Sequence, residues 1–109
     1  MLDKDYKINE ELQKILNSRK SEMPENSYVS SLFKKGNSEI NSKIIEEANE
    51  YVEAVNSNNK SEIIHEAADL WFHNLVSLTL NDIQVSDILE ELNRRFGVSG
   101  LEEKKSRDK

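Results

Sequence analysis

Residues 37–80 read NSEINSKIIEEANEYVEAVNSNNKSEIIHEAADLWFHNLVSLTL, two long segments parted by Ser57-Asn58-Asn59. Ile40, Ile44, Ala48, Tyr51, Val52 and Val55 recur at helical spacing and predict a helix from Asn37 or Ser38 to about Asn56. Asn59, with Glu62 three residues later, makes a capping-box-like start for a second helix running to about Leu80. A turn this short folds the two back on each other as an antiparallel pair. The first carries Glu46, Glu47 and Glu50, and the second carries Glu66 and Asp69. Spacings of three and four bring carboxylates onto a common helix face, so the pair can aim all five at one point.

Like charges gathered in this way repel unless something positive sits among them. Hard divalent cations take oxygen ligands, and Mg²⁺ is the one most used with phosphates. On the second helix Glu62, Glu66, Asp69 and His73 fall within roughly 60° on an ideal wheel. The opposite arc holds Ile63, Ile64, Ala67, Leu70, Trp71, Leu75 and Leu78. A helix so apolar predicts packing on several sides, with the acidic stripe lining a cleft. The ordinary alternative is a solvated face with local ion pairs. Basic partners for that alternative are scarce: between Glu46 and Asp69 there is one lysine, Lys60. His73 is compatible with a ligand contact or with a structural hydrogen bond. His65 lies off the stripe and reads as surface, while Trp71 and Phe72 read as core ahead of the alternative of a nucleobase platform, and Phe72 borders the stripe.

Outward from this pair the pattern stays helical. A first helix is expected over about residues 3–19, with Leu12, Ile15 and Leu16 on its apolar side. Residues 20–27 form a loop broken by Pro24. Ser27 can cap a short helix to about Lys35 that Gly36 ends. Ser86 can cap a last helix ending near Phe96-Gly97. No sustained period-two alternation marks a strand, so the fold class is all-α with about five helices. Residues 1–97 are expected to form one domain, and the charged stretch 98–109, without an apolar residue after Leu101, a disordered tail.

The bulk properties exclude several classes. At 109 residues the chain fits one small domain. A formal net charge of −6 argues against nucleic acid as the main partner. No apolar run approaches a transmembrane length, and Met1-Leu2-Asp3-Lys4-Asp5 has no signal-peptide pattern. Without cysteine there are no disulfides or thiolate sites, and a cytoplasmic location is expected. Five short helices bury a limited core, and the apolar surface of the fourth exceeds what one layer of neighbours covers. A homodimer pairing the third and fourth helices of two chains is therefore expected.

Lys43-Ile44-Ile45-Glu46-Glu47-Ala48-Asn49-Glu50 and Glu66-Ala67-Ala68-Asp69-Leu70-Trp71-Phe72-His73-Asn74-Leu75-Val76 together resemble the MazG-type all-α nucleoside triphosphate pyrophosphohydrolases. The segment Ser27-Tyr28-Val29-Ser30-Ser31-Leu32-Phe33 before Gly36, and the stretch from Val85 to Phe96, are similar to the phosphoribosyl-ATP pyrophosphatase family within them. The likeness covers about residues 9–96 and implies a MazG-like bundle, completed by dimerisation. It implies hydrolysis of phosphoribosyl-ATP to phosphoribosyl-AMP and pyrophosphate in histidine biosynthesis, by Mg²⁺-dependent attack of water on the α–β phosphoanhydride. It further implies Glu47, Glu50, Glu66 and Asp69 as metal ligands, and Glu46, ahead of Glu47, as the group that orients water or supports the ligands, although helical geometry alone does not separate the two. Lys43, Lys34 and Lys35 are the candidates for phosphate, though Lys43 can equally pair with Glu46 or Glu47. Three positions depart from the family pattern: Glu39 and Ser42 stand where basic residues are usual, and Asn74 stands where leucine is usual. The family resemblance leaves open a pathway association with a phosphoribosyl-AMP cyclohydrolase, to which this domain is fused in some organisms. The competing readings are a pyrophosphohydrolase of other nucleoside triphosphates and a helical dimerisation module without activity.

Overall fold

The computed structural model describes residues 2–97, with side chains from residue 7 onward. Five helices follow one another: α1 (Leu2–Glu22), α2 (Tyr28–Lys35), α3 (Asn37–Ser57), α4 (Lys60–Leu80) and α5 (Val85–Phe96). No strand occurs among the described residues. The expected all-α class and helix count hold. The stretch 98–109, expected to be a disordered tail, lies outside the described residues.

Local chemistry explains each boundary. The Ser27 side chain accepts from the Ser30 N–H at 3.2 Å and starts α2. Gly36, at φ 84°, ends α2 by donating its N–H to the Leu32 carbonyl, and its own carbonyl opens α3 by accepting from Ile40. That conformation favours glycine, so any side chain here would strain the α2–α3 corner. Asn58 closes α3 in the left-handed region at φ 59°. The Asn59 carboxamide oxygen then accepts from the N–H groups of Ser61 and Glu62 to open α4. With only Asn58 and Asn59 between them, α3 and α4 form a tight antiparallel hairpin.

Two expected boundaries move. The first helix runs on to Glu22 because Lys20 has work in its last turn. Its ammonium donates to the Thr79 and Leu80 carbonyls and meets Asp82 at 2.6 Å, closing the C-terminus of α4. The last helix is opened by Gln84 and not by Ser86. The Asp87 carboxylate reaches back to accept the Gln84 N–H at 3.1 Å, fixing the start one residue before Val85.

The core gathers Leu16, Leu32, Phe33, Ile40, Leu75, Val76 and Val85. Trp71 and Phe72 pack against it while staying partly exposed. Gln13 is buried among these residues and serves as a polar staple. It donates to the Ile83 carbonyl at 2.9 Å and accepts from the Val85 N–H at 2.7 Å, holding α1 to the α4–α5 turn. A buried amide satisfied on both sides adds specificity, whereas an unsatisfied one would be costly.

The wheel reading of α4 needs a correction. Its buried residues are His73, Leu75, Val76 and Thr79, all in the C-terminal half, where α1 packs on it and Tyr28 of α2 reaches His73. In the N-terminal half Ile64 and Ala67 are exposed, so the expected apolar arc is open there and not enclosed. The helix packs against α3, and its Glu66 comes within 4.8 Å of the α3 carboxylates Glu47 and Glu50.

Candidate functional site: a carboxylate groove between α3 and α4

The groove is built by the hairpin. Oxygen atoms of Glu47, Glu50 and Glu66 lie within 4.8 Å of one another. A second group, His65, Glu66 and Asp69, is equally close, and Glu66 belongs to both. The groove continues toward the α3–α4 turn as a cleft of about 600 Å³ lined by Glu50, Glu53, Ala54, Ser57, Glu62, His65 and Glu66.

The electrostatics are those of crowded like charges. Glu47 binds its proton more tightly than an ordinary glutamate, first because it is desolvated and then because Glu50 and Asp69 face it. Glu66 is shifted in the same direction, again through desolvation first and then through a hydrogen bond and repulsion from Glu50. Glu50 thus stands between the two. Among the described residues, Glu47 Oε2 is the one buried side-chain oxygen or nitrogen with no hydrogen-bond partner. An orphaned buried carboxylate oxygen is costly in a protein interior. A hard cation could satisfy it and relieve the repulsion, and carboxylate oxygens are donors that Mg²⁺ accepts.

The predicted residues do not all converge. Glu47, Glu50, Glu66 and Asp69 face the groove, with Asp69 reaching it beside His65. Glu46 turns to the neighbouring side of α3, where it meets Lys43 at 3.5 Å. That contact is the main reason the Lys43 ammonium holds its proton more firmly than usual. Of the two alternatives left open for Lys43, the ion pair with Glu46 is the one formed here. Lys34 and Lys35 are exposed at the end of α2, with no ion pair to the groove among the described residues. Glu39 adds negative charge near Lys43, and Ser42 turns its hydroxyl back to the Ser38 carbonyl at 3.1 Å.

His73 has a structural hydrogen-bonding role. Its Nδ1 donates to the Asp69 carbonyl at 2.8 Å, so its Nε2 is free to accept from the Tyr28 hydroxyl at 2.9 Å. Phe72 packs edge-on against the imidazole, with ring centroids 5.3 Å apart. The result ties the first residue of α2 to the carboxylate helix. Tyr28 therefore borders the groove: desolvation raises its hydroxyl pKa, and Lys43 and Glu47 act on it from α3. Sequence reasoning used Tyr28 only as a family marker, because a contact across 45 residues leaves no local signal. His65 was placed on the surface and is indeed 73% exposed there, yet its Nε2 lies 3.4 Å from Asp69 and 3.9 Å from Glu66. The i,i+4 spacing of His65 and Asp69 was the available signal.

The fold and the site together define an all-α protein whose central hairpin carries a carboxylate groove suited to a hard cation. The family model for phosphoribosyl-ATP pyrophosphohydrolase matches residues 9–96. A protein named phosphoribosyl-ATP pyrophosphatase from Vesicomyosocius okutanii is 50% identical over 97 residues, covering 89% of this chain and 92% of that one. Its namesake from Ruthia magnifica is 48% identical over the same shares. One from Neisseria meningitidis is 46% identical over 96 residues, 88% of this chain and 90% of the relative. The chain belongs to the phosphoribosyl-ATP pyrophosphohydrolase family.

Proposed function

We propose that the chain hydrolyses phosphoribosyl-ATP to phosphoribosyl-AMP and pyrophosphate, in histidine biosynthesis, using Mg²⁺ held in the α3–α4 groove. The observation that carries the metal reading is the orphaned Glu47 oxygen in the middle of carboxylates from two helices. The names of the relatives support the substrate. Glu47, Glu50, Glu66 and Asp69 are the ligand set. Bound Mg²⁺ would supply charge neutralisation to the phosphate oxygens, which phosphoryl transfer needs more than covalent help.

The chain's own residues do the rest. Glu50 and Glu66 come from opposite helices, so the hairpin turn sets their spacing before any ligand arrives. Preorganised charge of this kind costs no rearrangement at the moment of reaction. Glu47 reaches the groove whereas its neighbour Glu46 is engaged by Lys43, so Glu47 is the better placed of the two to orient the attacking water. Lys43, which acts on Tyr28 and pairs with Glu46 on the helix that carries Glu47 and Glu50, is the first candidate for a phosphate to recruit, with Lys34 and Lys35 after it.

The same reading includes a homodimer. Ile45, Val52 and Val55 recur along α3, and Ile45 and Val52 are 63% and 55% exposed. Ile64 on α4 is 69% exposed. Two such faces pressed together would remove this apolar surface from water. Sedimentation should show a dimer at micromolar concentration, and a stable monomer would contradict that part. A cytoplasmic setting fits a chain whose described helices include none long and apolar enough to cross a membrane.

The test is a substrate panel. Pyrophosphate release is measured from phosphoribosyl-ATP and from ordinary nucleoside triphosphates, with Mg²⁺ and with a chelator. Release from phosphoribosyl-ATP, dependent on Mg²⁺, is the expected result. A preference for ordinary triphosphates would move the chain to another substrate, and inactivity on all of them would sink the enzyme reading.

A further inference from the structure

A second cavity, about 580 Å³, is lined by α1, the α1–α2 loop, the start of α2 and Phe72 of α4. Its walls include Leu12, Leu16, Val29 and Phe72, with Tyr28 and Arg19 among the polar groups. Volume and lining are those of a small-molecule site: mostly apolar, with a few polar groups to fix orientation. It shares a wall with the groove, because Tyr28 hydrogen-bonds His73 and Phe72 packs on that same ring.

Arg19 is the informative residue. It is only partly exposed, and no carboxylate among the described residues forms an ion pair with it. Glu25 also lines the cavity and forms no ion pair with Arg19. Its place in the last turn of α1 gives it a favourable interaction with the helix dipole. That interaction would be kept by a fully exposed side chain, so it does not explain a half-buried arginine without an anion. Arginine matches phosphate in shape and charge, and a partly desolvated guanidinium is worth more to such a ligand than an exposed lysine.

We propose that this cavity holds the non-reacting end of the substrate, with the purine ring against Phe72 and Tyr28 and the ribose 5-phosphate on Arg19. The assignment rests on the reading of the groove as the triphosphate site. Phosphoribosyl-ATP differs from ATP by a ribose bearing its own phosphate, so a second anion site beyond the base is what separates the two. Charge complementarity selects this occupant: the groove is acidic and cannot take a bare phosphate, whereas Arg19 is an unneutralised cation in an apolar setting.

Equilibrium binding of phosphoribosyl-AMP and of AMP tests it, since the product retains the distinguishing arm and is not turned over. Wild type should prefer phosphoribosyl-AMP by roughly 10- to 100-fold, the worth of a hydrogen-bonded charge pair. Arg19→Met should bind the two alike, and Arg19→Lys should fall between. KM for phosphoribosyl-ATP should rise in the same order. Ribose 5-phosphate should displace phosphoribosyl-AMP from the wild-type protein, and ribose should not, a measurement that needs no variant to fold. Glu50→Gln, which strikes only the groove, should lose pyrophosphate release and keep the preference. An undiminished preference in folded Arg19→Met, or no competition by ribose 5-phosphate, overturns the subsite while leaving the reaction intact. A wild type that releases no pyrophosphate from phosphoribosyl-ATP overturns the reaction itself.

Discussion

Glu91 on α5 and Glu66 on α4 are the same residue type on helices of one chain, and their environments push them in opposite directions. Glu91 accepts from Arg94 at 2.9 and 2.8 Å and from Arg95 at 2.8 Å. Those hydrogen bonds, Arg94 first, hold its pKa down at about 2. Glu66 has carboxylates where Glu91 has guanidinium groups, and its proton affinity rises. Surface acids near bases complete themselves within the chain and do nothing further. Acids crowded by a hairpin, with only the exposed His65 beside Glu66 and Asp69, leave negative charge that a cation from outside could balance. Acidity alone does not mark a site; the absence of an internal counter-charge does.

The contrast can be broken at either end. The largest effect is expected from Glu66→Gln, because Glu66 belongs to both ligand groups. Pyrophosphate release should fall by at least about 100-fold while helical circular dichroism is kept. Addition of Mg²⁺ should raise the melting temperature of the wild type, by an amount equivalent to about 2.7 kcal/mol at a hundred times its dissociation constant. Glu66→Gln should show little of that rise. In chelator the order reverses: Glu50→Gln removes a like charge from between Glu47 and Glu66, and should be more stable than wild type by on the order of 0.5 kcal/mol. A variant that is less stable without metal and less active with it would mean the carboxylates are structural. The smallest effect belongs to Glu91→Gln, a slight loss of stability with no change in activity, since exposed ion pairs contribute little.

The two regions also differ in pH dependence. The native groove binds protons more tightly than the unfolded chain, because the Glu47 and Glu66 pKa values are raised. Metal-free protein should therefore gain stability as pH falls through the raised values toward the ordinary glutamate range, and lose it as pH rises back through them. Glu91 works the other way. Its contribution is full above the ordinary glutamate value and fades as pH drops toward about 2. Thermal melts in chelator across this range, with Glu91→Gln alongside, separate the two slopes.

Much of this was legible in the sequence because it is local. Spacings of three and four put Glu47 with Glu50 and Glu66 with Asp69. The short turn at Asn58-Asn59 allowed only an antiparallel hairpin, which brings the two pairs together. The caps at Ser27, Gly36 and Asn59 could be read for the same reason. What could not be read depends on distant partners. Gln13 looks like a surface residue until Val85 and Ile83 close over it. Lys20 extends α1 only because the end of α4 arrives beside it. The enclosure of α4 was overestimated, since the wheel shows which residues are apolar but not where the chain runs out of helices to cover them. Tyr28 and Arg19 gain their roles from contacts and a cavity that bring together α1, α2 and α4, and no window of sequence contains all three.

The central claim is that the α3–α4 groove is a Mg²⁺-dependent centre for hydrolysing phosphoribosyl-ATP. The most direct measurement is the rate of pyrophosphate release from that substrate by wild type and Glu50→Gln, each with Mg²⁺ and with chelator. The account predicts turnover only by the wild type and only with Mg²⁺, with the variant's helical circular dichroism intact. Turnover by Glu50→Gln at the wild-type rate, or by wild type in chelator, would contradict it.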